Sequence, residues 1–193
     1  MKYWILLCAL LVTGTATQAQ NKNKGTNTQK NNAAAHTGMD HDFVVKAGES
    51  GKAEVMLGNL AEAKGASQAV KDFGAMMVMD HQKANDELIT LAARKRYMTV
   101  AKDLPADMQK DYNNLNAKSG ADFDKAFMVQ MVKDHEKAIR LFRDEAANGK
   151  DPDLKNWAAQ TLPALEQHLQ HAKSVQQQVE SGDKGSMGNH TGK

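Results

Sequence analysis

Apolar residues recur along this chain at spacings of three, four and seven, the signature of helices that each bury one face. In residues 40–64, Phe43, Ala47, Glu54, Leu57 and Ala61 share a face. A second segment opens at Ser67, a good N-cap, and runs to about residue 96 with Val70, Phe73, Met77, His81, Ala84, Leu88 and Leu91 in line. A third spans 120–148 with Phe123, Phe127, Met131, His135, Ala138 and Phe142. The fourth opens at Asp151-Pro152, a cap followed by proline at the first helical position. It carries Leu154, Trp157, Ala158, Leu162, Leu165, Leu169, Ala172 and Val175. Gly65 and Asn148-Gly149 are stop signals. Between the second and third segments, Leu104-Pro105 can start a short helix through Tyr112 and Leu115.

The links at Gly65-Ala66 and Gly149-Lys150 are short and make antiparallel neighbours, whereas the stretch from Tyr97 to Ser119 is long enough for a crossover. Short, long, short predicts an all-α fold: a ferritin-like four-helix bundle with a short extra helix in the crossover between helices two and three. An up-down-up-down bundle with a helix in its loop is the alternative. Ala47, Gly48, Gly51, Ala53 and Gly58 make the first helix unusually small-sided, and the return for weakening it is close approach of a neighbour. Pro163 removes a donor inside the fourth helix and predicts a bend, either a local accommodation around the core or an opening at its centre.

The ends have a different composition. Lys2, the apolar run Tyr3–Val12 and Thr17-Gln18-Ala19 read as a secretory signal peptide over residues 1–19. The run is about half the ~20 residues that span a bilayer, so no integral membrane insertion is expected. Residues 20–38 are rich in Asn, Lys, Thr and Gln, and residues 181–193 in Gly; both are expected to be disordered, which leaves a domain at 39–180. The chain's one cysteine, Cys8, lies inside the leader, so the mature protein offers no thiolate. With 25 Lys+Arg against 23 Asp+Glu, the net charge of +2 gives no field for nucleic acid. The expected location is periplasmic or secreted, with peripheral outer-membrane association open.

One motif occurs twice. Lys71, Phe73, Met77, Val78, Asp80, His81, Lys83 and Ala84 recur 54 residues later as Lys125, Phe127, Met131, Val132, Asp134, His135, Lys137 and Ala138. In both copies Phe, Met, His and Ala fall on one face, so each helix directs Met-x-x-x-His at the core. Together with Ala53-Glu54-Val55, Asn85-x-Glu87-Leu88 and Leu162-Pro163-x-Leu165-x-x-His168-Leu169, these motifs resemble the secreted bacterial family known as domain of unknown function 4142, over about residues 40–178. The resemblance implies a ferritin-like helical bundle and an envelope location, and little about activity.

The candidate chemistry is a metal site in the bundle core. His81, His135 and His168 supply imidazoles, Met77 and Met131 thioethers, and Glu54 a carboxylate. Without thiolates, and with 11 Met in the chain, the donor set favours copper, Cu(I) above all. Di-iron bundles use Glu-x-x-His, whereas here Val78, Val132 and Leu165 stand three residues before the histidines, which argues against a di-iron centre. The competing reading is structural. Core methionines are usually filler, and Glu54 can simply bond His81 or His135 across the core. The protein is then a non-enzymatic envelope or stress-related interaction module. Asp80 and Asp134, at the stripe edges, can reach Lys or Arg on an adjacent helix, the default for an exposed edge, or orient a histidine. A second Met/His cluster, His36, Met39 and His41, lies at the linker, and His190 in the tail. The basic run Arg94-Lys95-Arg96 is explained by the dipole at a helix end. No nucleophile elbow, phosphate loop or cysteine nucleophile is present, so the sequence favours binding over catalysis.

Overall fold

The computed structural model describes residues 26–95, 97 and 103–187, with side chains from residue 38 to residue 182 within those ranges. The expected signal peptide at residues 1–19, His190 and the side chain of His36 lie outside the described residues. All regular structure within them is helical: α1 (Thr26–Lys64), α2 (Gln68–Lys95), α3 (Ala106–Asn116), α4 (Gly120–Asn148) and α5 (Pro152–Met187). None of these helices is long and apolar enough to cross a membrane.

The punctuation follows local chemistry. The Ser67 hydroxyl accepts from the Val70 amide at 3.3 Å. Asp151 accepts from the amides of Asp153 and Leu154 at 2.9 and 3.4 Å, with Pro152 first in α5. The amides of Gly65 and Gly149 close α1 and α4 on the carbonyls of Ala61 and Glu145. Helices α1 and α5 run past residues 39 and 180, but packed side chains begin at Asp40 and end at Val179. Helix α5 continues through Pro163, whose side chain is exposed.

Helix α1 packs on α2 and α4 on α5, and contacts of α1 with α4 and of α2 with α5 close a four-sided bundle. Two buried aspartates fix which ends meet. Asp124, near the start of α4, accepts from the amides of Ala66 and Ser67 at 2.9 and 2.8 Å. Asp40, near the packed start of α1, accepts from Lys150 and Asp151 at 2.8 and 2.9 Å. Each hairpin turn is thus capped by the leading helix of the other hairpin. The pattern repeats at a spacing of 84 residues: Asp40 and Asp124, Phe43 and Phe127, Gly65 and Gly149, Ser67 and Asp151. Neighbouring helices are therefore antiparallel, and α2 and α4, across the bundle, run parallel. The chain leaves α2 at the Asp40 end and enters α4 at the Asp124 end, with α3 lying against α1 and α4 on the way.

Glycines let α1 and α2 approach. A Cβ on Gly58 would stand 2.6 Å from the Gly74 carbonyl, and one on Gly74 2.7 Å from the Gly58 carbonyl. This backbone contact is the return for the weakened helix. Apolar burial falls into two clusters. One, towards the Asp124 end, holds Leu57, Phe73, Met77, Phe123, Phe127 and Met131. The other, towards the Asp40 end, holds Phe43, Ala47, Leu88, Phe142, Leu154 and Leu165. At that second end Lys95 pairs with Asp151 and Asp153 at 3.2 and 2.7 Å, so this basic residue joins α2 to α5. Glu145 is buried there, and burial, then the neighbouring Asp40 carboxylate, pushes its carboxyl up to about 7.

Two outcomes follow. Asp124→Ala strips two turn amides of their acceptor and should cost roughly 2–3 kcal/mol in chemical denaturation. Glu145 ionises near 4.5 when unfolded and near 7 when folded. Its stabilising contribution is therefore complete below about pH 4.5 and is lost as pH rises through 7. Relative to wild type, Glu145→Gln should gain on the order of 2 kcal/mol between pH 5 and pH 8, read from paired denaturation curves.

Candidate metal centre

Between the two apolar clusters lies a polar layer to which each long helix contributes one residue: Glu54 from α1, His81 from α2, His135 from α4 and His168 from α5. All four are buried. The three imidazole centroids form a near-equilateral triangle, with sides of 5.6 Å (His81–His135), 5.5 Å (His81–His168) and 5.5 Å (His135–His168). One ring nitrogen from each lies within 4.8 Å of the others, and among the described residues this is the only cluster of His, Cys, Asp and Glu with metal-binding spacing.

The hydrogen bonds orient two of the rings. His135 Nδ1 lies 2.9 Å from the Met131 carbonyl, one turn back, and can only donate there. Its Nε2 lone pair is left free, and that atom is buried with no partner. His168 Nε2 lies 3.0 Å from Asp80 Oδ2 and donates to it, which leaves a buried, unpartnered Nδ1. His81 likewise has a buried, unpartnered Nε2. Imidazoles that bind metals characteristically hold the second nitrogen on a carboxylate or a carbonyl in this way.

Electrostatics keep the rings neutral. Burial, reinforced by the other two imidazoles, lowers His81 to about 3. Burial lowers His135 to about 4, against the opposing bond to Met131. Burial also lowers His168, in spite of Asp80. Glu54 is raised well above the usual carboxylate range, by burial first and then by the charge of Asp134. The layer therefore presents three uncharged nitrogen donors and a carboxyl poised to ionise beside a cation.

The sequence-predicted residues divide. His81, His135 and His168 come together, and Glu54 lies beside His135, outside the group with metal-ligand spacing. Glu54 Oε1 is 3.9 Å from His135 Nδ1, beyond hydrogen-bond range, and that nitrogen bonds Met131 instead, so the expected Glu54–His bond across the core is not formed with His135. Met77 and Met131 are buried in the adjoining apolar cluster, one turn from their histidines, where their side chains pack with Phe73 and Phe127. The two aspartates of the repeat behave differently. Asp80 orients His168 rather than pairing with Lys or Arg, whereas Asp134 bonds Gln130 at 2.6 Å and lies 3.9 Å from Lys137. The sequence left both roles open for Asp80, with the Lys or Arg pair as the default, because spacing does not show which edge of α2 faces α5. His171 meets the ring edge of Phe73, and His41 pairs with Asp42; neither joins the triangle.

Two cavities flank the layer. One of about 60 Å³ touches Asp80, His81 and His168, with Asn85, Thr161, Phe142 and Trp157 also in its lining. The other, about 290 Å³, lies between α1, α3 and α4 and reaches Glu54.

The family described as Domain of unknown function (DUF4142) matches residues 25–175, and the chain belongs to it. No curated protein and no solved structure matches the chain.

The unpartnered nitrogens make a stability prediction. His81→Leu replaces a buried, unpartnered ring nitrogen with an apolar side chain of similar size, so the metal-free variant should be at least as stable as wild type. A loss above about 1 kcal/mol in chelator-treated protein would instead mark His81 as a structural contact.

Proposed function

We propose that this member of the DUF4142 family is an exported, non-enzymatic helical-bundle protein that binds a transition-metal ion through His81, His135 and His168, with Glu54 as the adjacent carboxylate. The observation that carries this reading is the set of three buried, uncharged imidazoles, each with an unpartnered ring nitrogen and each bringing one ring nitrogen within 4.8 Å of the other two. Leaving three such acceptors unbonded in a core costs stability, and metal coordination is the chemistry that repays it. Metal–nitrogen bonds of about 2.0–2.1 Å place tetrahedral donors roughly 3.3 Å apart, so an ion draws the rings inward by small rotations.

Copper is the ion we favour. Nitrogen donors bind Cu(II) most tightly in the first-row series, and the thioethers of Met77 and Met131 one turn away suit Cu(I). Zinc is the next competitor. The absence of Glu-x-x-His supports our reading against a di-iron centre. The leader-like residues 1–19 support a periplasmic or secreted location, and the short-long-short connectivity supports a ferritin-like arrangement.

The test is titration of chelator-stripped mature protein with Cu(I), Cu(II), Zn(II) and Fe(II). One equivalent of copper should bind, and His81→Ala or His135→Ala should weaken it at least ~100-fold, in line with loss of a ligand. Variants that bind as wild type does, but melt lower, would make the histidines structural and the protein an interaction scaffold. Binding lost only on removing residues 20–41 and 181–193 would place the site at His36, His41 and His190.

A further inference from the structure

We propose that the cavity between α1, α3 and α4 is the route by which a cation reaches the three-histidine centre, with Asp107, Asp111 and Asp134 collecting the ion and Glu54 passing it inward. This inference rests on the metal-centre reading and adds how the site is loaded.

Helix α3 is the structural reason for the cavity. It sits over the seam between α1 and α4 and has a single fully buried residue, Leu115. The rest of its inner side spans the opening. Asp107 and Asp111, one turn apart, line the cavity with Met108 between them. From α4 come Gln130, Asp134 and Lys137, and from α1 come Lys46, Ser50 and Glu54. Leu57 and Leu141 are apolar parts of the wall. The volume of about 290 Å³ admits a hydrated ion, which needs room for several waters.

Glu54 marks the inner end. It is only 3% exposed, it lines the cavity, and its Oε2 has no hydrogen-bond partner. Its other oxygen stands 3.9 Å from His135 Nδ1, the ring nitrogen that donates to the Met131 carbonyl. A single carboxyl thus lines the cavity and lies beside the His135 ring, one corner of the imidazole triangle. The other cavity at the centre touches His81 and His168 and is lined by Asp80, Asn85 and Thr161 as well as apolar side chains, but at about 60 Å³ it is too small for a hydrated ion. Lys46 and Lys137 also line the larger cavity and oppose the collecting field, which makes the sign of each charge testable.

The experiment is stopped-flow uptake of Cu(II) by the full mature protein at low and high ionic strength. Asp107→Asn, Asp111→Asn and Asp134→Asn together should slow uptake about 5–10-fold at low salt, and the difference should shrink at high salt. The final copper stoichiometry should not change. Lys46→Gln should speed uptake, and Asp72→Asn, an exposed acid on α2 away from the cavity, should leave the rate alone. A circular-dichroism melt of each variant separates loss of fold from loss of route. Unchanged rates in both the triple variant and Lys46→Gln, with copper still bound, would overturn the route and leave the metal centre standing. No copper uptake by the wild-type protein would overturn the centre and the route with it.

Discussion

Everything in this bundle depends on how Asp124 ties the start of α4 to the start of α2. Its carboxylate takes the amides of Ala66 and Ser67, so both helices are measured from the same plane. His81 lies fourteen residues beyond Ser67 and His135 fifteen beyond Gly120, which at about 1.5 Å per residue places both roughly 21–23 Å up the bundle. Asp40 does the same from the far end: Glu54 lies fourteen residues along α1, about 21 Å away. The α2 helix, with 28 residues, is about 42 Å long. Measured from opposite ends, the two heights meet near the middle. The polar layer is therefore a consequence of two capped turns and helix pitch.

The parallel run of α2 and α4 gives the repeated motif its meaning. Equal positions in two parallel helices lie at equal heights, so the motif meets itself across the core. Phe73 packs edge-on against Phe127 at 6.2 Å, and His81 stands opposite His135 at 5.6 Å. The same arrangement puts two polar rings where a core would ordinarily hold leucines. His168 from α5 completes the set and Asp80 fixes its tautomer. The apolar clusters on either side keep the layer dry enough to hold the rings uncharged.

Such a layer is expensive for a domain of this size, since net stabilities are only about 5–15 kcal/mol. Three unpartnered nitrogens and a buried carboxyl lower that margin without helping the bundle to form. Stability comes from elsewhere: the Gly58–Gly74 crossing, the aromatic contacts of Phe43 with Phe142 and Trp157, and the reciprocal aspartate caps. A fold tied at both ends by reciprocal caps, with three unpartnered imidazole nitrogens at its centre, has the form expected of a scaffold carrying a site.

The sequence by itself determined the elements. Helix faces, stops at Gly65 and Gly149, the cap at Ser67, the start at Asp151-Pro152 and the small helix before Gly120 were all legible, because each is decided by residues within a few positions of one another. It also singled out Glu54, His81, His135 and His168, because polar residues on apolar stripes stand out at helical spacing. Only the tertiary structure decided which of these meet, since that depends on helix direction and height, set by contacts between residues as distant as Asp40 and Asp151. For the same reason it alone gave Asp80 to His168 rather than to a lysine, left Met77 and Met131 packing in the apolar layer, and placed α3 over the cavity that leads to Glu54.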